Sequence, residues 1–94
     1  MISSSEAFER FSRWKNLKTS LIVTVIVGGK TEEVLTGWRI FAADPDASQV
    51  GIFNPEIMHS FSALDVEGAT FSIELARLVV TRNESDWLIF EEVN

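Results

Sequence analysis

Seven consecutive residues, Leu21-Ile22-Val23-Thr24-Val25-Ile26-Val27, followed at once by Gly28-Gly29, constrain this chain more than any other stretch. Five of the seven are Val or Ile, which are stiff at χ1 and fit a pleated sheet better than a helix. The run is too short for most helices and the right length for a strand closed by turn glycines. Apolar residues fall at both parities: Leu21, Val23, Val25 and Val27 on one face, Ile22 and Ile26 on the other. Such a strand asks for cover on both sides, and the remaining segments read as that cover.

Ninety-four residues make one domain, residues 1–94, with no room for a second core. With 46% hydrophobic residues and a mean hydropathy of +0.13, the chain carries more apolar material than a small core easily hides. That excess points to a subunit interface, hence a homo-oligomer. The net charge is −6, unevenly spread. Residues 1–18 hold four bases (Arg10, Arg13, Lys15, Lys18) against two acids, and the remainder holds four bases against twelve acids. An acidic body disfavours nucleic acid, whose phosphates need clustered Lys and Arg. Cysteine is absent, which excludes disulfides and thiolate chemistry. A cytoplasmic protein that does not engage membranes is expected, because no apolar stretch nears the ~20 residues of a span and no signal pattern opens the chain.

Ser3-Ser4-Ser5-Glu6 has the form of a capping box. Behind it Ala7, Phe8, Phe11 and Trp14 share one arc of a helix over about residues 4–16, opposite Glu6, Glu9, Arg10 and Arg13. Five strands are expected after it: about 19–28, 33–43, 49–54, 69–81 and 86–91. The second contains Gly37, which inside a strand marks a bend, a bulge or a close backbone approach. Asp44-Pro45-Asp46-Ala47-Ser48 is turn chemistry. Residues 55–68 keep neither period, and read as a covering loop with an extra strand around 60–64. In the segment 69–81 the apolar parity changes across Ala76-Arg77, which suggests a bulge. Asn83-Glu84-Ser85 fits a glycosylation sequon and is read as part of a hairpin loop.

A short helix followed by about five antiparallel strands, the second holding a central glycine, resembles the SH3-type barrels and, by order of elements, the Sm-like family. Gly37, Ile40 and Asp44 form a series comparable to that family's first motif, and its Arg-Gly pair has no counterpart here. The resemblance implies a strongly bent five-stranded barrel with RNA-binding relatives. A shorter likeness lies at Asp46-Ala47-Ser48-Gln49-Val50-Gly51, which is similar to the D-x-S-x-x-G signature of PilZ domains. It implies that Asp46, Ser48 and Gly51 approach a guanine of cyclic di-GMP, a small nucleotide ligand. The arginine pair of that family is matched only by Arg10-x-x-Arg13, one residue short.

No nucleophile has a visible base. The single histidine, His59, reads as a loop residue. Asp44 and Asp46 could act as an acid–base pair or hold a cation, but in a Pro-containing turn they read as turn formers. No catalytic residue, metal site or cofactor is expected, and the chain does not read as an enzyme. The resulting expectation is a mainly β fold: an amphipathic helix and a five-stranded antiparallel SH3/Sm-like barrel. Its expected role is that of a non-enzymatic binding or assembly module that self-associates through strand edges at Phe71–Val80 and Trp87–Phe90, with Leu78, Val80, Leu88 and Ile89 at the interface. The alternatives are a PilZ-like cyclic di-GMP sensor and an Sm-like RNA-binding protein.

Overall fold

The computed structural model describes residues 1–57 and 60–93. One helix, α1 (Ser4–Leu17), precedes seven strands: β1 (Leu21–Val27), β2 (Lys30–Asp44), β3 (Gln49–Asn54), β4 (Ser60–Asp65), β5 (Thr70–Glu74), β6 (Arg77–Thr81) and β7 (Trp87–Glu92). They form one antiparallel sheet in the order β4-β3-β2-β1-β7-β6-β5. The Val/Ile run thus becomes the central strand. Its two neighbours are β2, reached through the Gly28-Gly29 turn, and β7, the last strand.

The helix begins where the serines imply. Ser3 is extended and its Oγ accepts from the Glu6 amide at 3.1 Å, satisfying one of the orphan donors of the first turn. The apolar arc Ala7, Phe8, Phe11 and Trp14 is buried against one face of the sheet. Phe11 meets Phe90 edge-on with ring centroids 5.2 Å apart, and Phe8 meets Phe71 at 6.5 Å. Trp14 also donates from Nε1 to a Glu92 carboxylate oxygen at 2.7 Å, tying the helix to the end of β7. Leu21, Val23, Trp38, Ile40, Val50, Ile52, Leu78, Val80 and Leu88 fill the rest of this core. Burial of each such side chain contributes about 1.5–3 kcal/mol relative to exposure.

Several expectations are corrected. Seven strands replace five, and the sheet is open among the described residues, since its terminal strands β4 and β5 do not pair with each other. The extra strand near 60–64 exists as β4. The segment 69–81 is a hairpin. Glu74 pairs with Arg77, and the parity change is the two-residue turn Leu75-Ala76, both at positive φ (53° and 63°). Of the segments expected to be free edges, β5 is terminal in the sheet, whereas β6 and β7 are internal. β7 is internal, paired along Leu21–Ile26 on one side and with β6 on the other. Among the described residues the helix covers the face of Leu21 and Val23, while Ile22 and Ile26 are half-buried on the opposite face.

Gly37 marks a bulge. The β1–β2 register slips by one residue between the pairs Val23↔Leu35 and Leu21↔Trp38, and Gly37 takes φ 85° there. Asn54, buried beside it, donates from Nδ2 to the Thr36 carbonyl at 2.9 Å and accepts from the Glu56 amide at 3.0 Å. A Cβ on Gly37 would lie 3.3 Å from the Asn54 Oδ1, so the glycine serves both backbone and packing.

At the other end of β1, Asp86 joins two loops. Its carboxylate accepts from the Gly28 amide at 3.0 Å and from Asn83 Nδ2 at 2.8 Å, while Gly29 donates to the Ser85 carbonyl at 2.8 Å. Asn83 Oδ1 accepts from the amides of Ser85 and Asp86, the turn role read from the sequence. No helix among the described residues is long and apolar enough to cross a membrane.

Candidate functional site

The face of the sheet away from α1 carries a built aromatic cluster on β2, β3 and β4. Its first element is a further bulge in β2, on the side that faces β3. Ile40 pairs with Ile52 and Ala42 pairs with Gly51, so Phe41 is the extra residue. A bulge re-aims the side chain it carries. Here the Phe41 ring is sent across β3 and lies over Gly51, where a Cβ would come within 2.6 Å of the ring's Cζ. Any side chain at 51 would push the ring away. The absent side chain and the extra residue are two halves of one arrangement.

The other two rings come from directly opposed residues, Phe53 and Phe61. Their centroids are 6.1 Å apart with an interplanar angle of 23°. Phe41 meets Phe53 edge-on at 6.1 Å and Phe61 at 5.8 Å, closing a triangle of three contacts. Such aromatic pairs contribute about 0.5–1.5 kcal/mol beyond burial, so the rings hold one another in place. Yet Phe41 remains 45% and Phe61 65% exposed. Arg39 stands beside the cluster, paired with Phe53, and its Nε is sheltered from solvent without a partner among the described residues.

The end of the patch is acidic. Asp44 ends β2 and Asp46 lies in the turn after it, Asp65 ends β4 and Glu67 lies in the loop after it, and the Val66 amide donates to the Ser48 carbonyl at 2.8 Å and brings the two connections together. Asp44 Oδ1 accepts from the amides of Asp46 (3.1 Å) and Ala47 (3.2 Å), a side-chain-closed turn. No group of three or more carboxylate or imidazole side chains that could hold a metal ion occurs among the described residues.

This geometry places the residues singled out from sequence. Asp46 is exposed on the turn, and Ser48 sits at φ 52° with its carbonyl engaged by Val66. Gly51 is buried within β3 under the Phe41 ring. Of the four residues expected at a subunit interface, Leu78, Val80 and Leu88 are corrected to core: each is 0% exposed, packed beneath α1. Ile89 alone keeps surface, half-buried on the open face. The reading of His59 lies outside the described residues.

The aromatic cluster itself escaped sequence reasoning. Phe41 and Phe53 stand at the parity opposite to the buried Ile40 and Ile52, which was a usable signal. Combining them required the β2–β3 register, and the bulge at Phe41 conceals that register. Comparison of the chain with protein families, with curated proteins and with solved structures finds no match.

Proposed function

We propose that this protein is a non-enzymatic binding and assembly module that self-associates through the face carrying Phe41, Phe53 and Phe61. The observation that supports this reading is the exposed, mutually packed triangle of rings. A monomer gains nothing by holding large apolar rings in water, and ordered exposed apolar patches mark interaction sites. The bulge at Phe41 and the bare Gly51 put the rings there at a cost in regular pairing. Aromatic side chains on a sheet also serve as stacking platforms for bases. The acids at the end of this patch would repel phosphates, and a protein surface is the better match.

Sedimentation velocity over a concentration series tests the reading. Association is expected in the micromolar range, and the double variant Phe41→Ser/Phe61→Ser should weaken it at least tenfold. A monomer at about 100 µM, the concentration matching a dissociation free energy near 5.5 kcal/mol, overturns it.

A further inference from the structure

We propose that the free edge of β4 pairs antiparallel with β4 of a second copy, about a two-fold axis at Ser62, joining the two sheets into one. This inference rests on the self-association reading above and adds the strand, the register and the size of the assembly.

The sheet has two terminal strands, and among the described residues they differ in how far their outer edges are covered. The outer edge of β5 is met by Ile2, whose amide donates to the Phe71 carbonyl at 2.9 Å in an isolated bridge. Among the described residues no backbone group pairs with the outer edge of β4. An open edge is a template for another strand unless Lys, Pro or a bulge guards it. Residues 60–65 contain no Lys, Arg or Pro, and Asp65 is their single charge.

The register follows from the ladder. Val66 bonds to the Ser48 carbonyl in continuation of the Gln49↔Asp65 register. Bonded and non-bonded pairs alternate in an antiparallel ladder, so Leu64 and Ser62 turn their backbone groups toward β3 while Phe61, Ala63 and Asp65 turn theirs outward. A two-fold axis perpendicular to the sheet keeps the aromatic faces of both copies on one side. With the axis at Ser62, Phe61 lies opposite the partner's Ala63, with both residues bonding outward. The two Phe61 rings become diagonal neighbours, within reach for aromatic side chains. Moving the axis to Ala63 would set Phe61 against the partner's Asp65, exchanging an aromatic contact for a carboxylate.

The strand itself adds no local charge penalty to this pairing. Two copies at −6 each repel, yet the strand centre that meets its own image is uncharged, so no like charges stand directly opposed. Closure follows as well. Used isologously, the β4 edge is consumed in the first pairing, so β4 pairing by itself closes at a dimer.

The chain has no cysteine, so Ser62→Cys introduces a single thiol at the proposed axis. Residues facing across a non-bonded pair have Cα atoms about 4.5 Å apart, within the range a disulfide spans. Mild oxidation should convert most of the S62C protein to a covalent dimer, whereas Glu74→Cys on the far edge should remain largely monomeric. Ala63→Pro removes an outward N–H while leaving the β3–β4 bonds, and should weaken dimerisation at least tenfold. Phe61→Lys should do the same and serves if the proline variant fails to fold. Should the parent associate while S62C stays uncrosslinked, or while these variants leave the association constant unchanged, the β4 pairing is wrong and self-association stands. A monomeric parent at about 100 µM removes both.

Discussion

Leu75 and Ala76 occupy both central positions of the β5–β6 turn with φ at 53° and 63°. A two-residue hairpin needs this left-handed pair because its twist matches the strands. An L residue with a Cβ held there costs about 1–2 kcal/mol, which Asn and Gly largely avoid. Leu75 is moreover 86% exposed, so it recovers little by packing. Replacing the pair by Asn-Gly should stabilise the fold by about 1 kcal/mol, seen as a higher urea midpoint with an unchanged slope. Asp86 gives a second expectation at this scale. Its hydrogen bonds from Asn83 and from the Gly28 amide, with Arg82 nearby, hold its carboxyl below the ordinary value of 3.8. A carboxyl with a depressed folded-state value stabilises fully above the unfolded value and loses that contribution as pH falls through the folded one. Unfolding midpoints measured against pH should therefore drop more steeply below the ordinary carboxylate range in the parent than in Asp86→Asn.

At the scale of elements, what was legible depended on whether local chemistry and burial agreed. The helix was readable because cap and apolar arc point the same way, and both are realised at Ser3 and at Phe8, Phe11 and Trp14. Ser3→Ala should cost about 1 kcal/mol, with reduced amide protection at Glu6 and Ala7 under hydrogen exchange. Trp14→Phe should remove the bond to Glu92 and loosen the docking of α1 at a comparable cost, visible as a lower unfolding midpoint. The β5–β6 hairpin was hidden because Leu-Ala carries none of the Gly, Asn or Asp chemistry that signals a turn. A parity change then looked like a bulge in one long strand. The bulge at Phe41, unlike the one marked by Gly37, was hidden for the opposite reason: Ile40, Phe41 and Ala42 are all apolar, so an extra residue leaves no break in the pattern. The candidate site rests on that bulge, and so it was the least legible part. The fold class, helix plus antiparallel strands, needed no such detail.

Among the described residues the molecule is a sheet with α1 on one face and no element on the other, and its compactness does not remove that asymmetry. Its radius of gyration is 12.2 Å, close to the ~12.4 Å expected of a well-packed chain this long. The apolar surplus noted in the composition is therefore not spent on looser packing of one large core; part of it stands on the open face as Val34, Phe41 and Phe61. If a second copy covers the β4 end of that face, folding and association are linked, because the paired edge exists only in the folded chain. Linkage adds about 2.7 kcal/mol when the free partner reaches a hundred times its dissociation constant, and the thermal midpoint then rises with concentration. For a domain of this size that is a shift of several degrees or more. The gain should be local in origin. The amides of Phe61 and Ala63 point away from β3, so in a monomer they exchange with solvent almost freely, whereas pairing protects them. Hydrogen exchange at low and high protein concentration should show protection rising at these two amides and staying constant at Ser62 and Leu64, which already bond to β3. Ala63→Pro should flatten both the midpoint series and the Phe61 protection. A concentration-independent midpoint in the parent, with Phe61 exchanging freely throughout, would show that the open edge is solvated and that the rings serve some other surface.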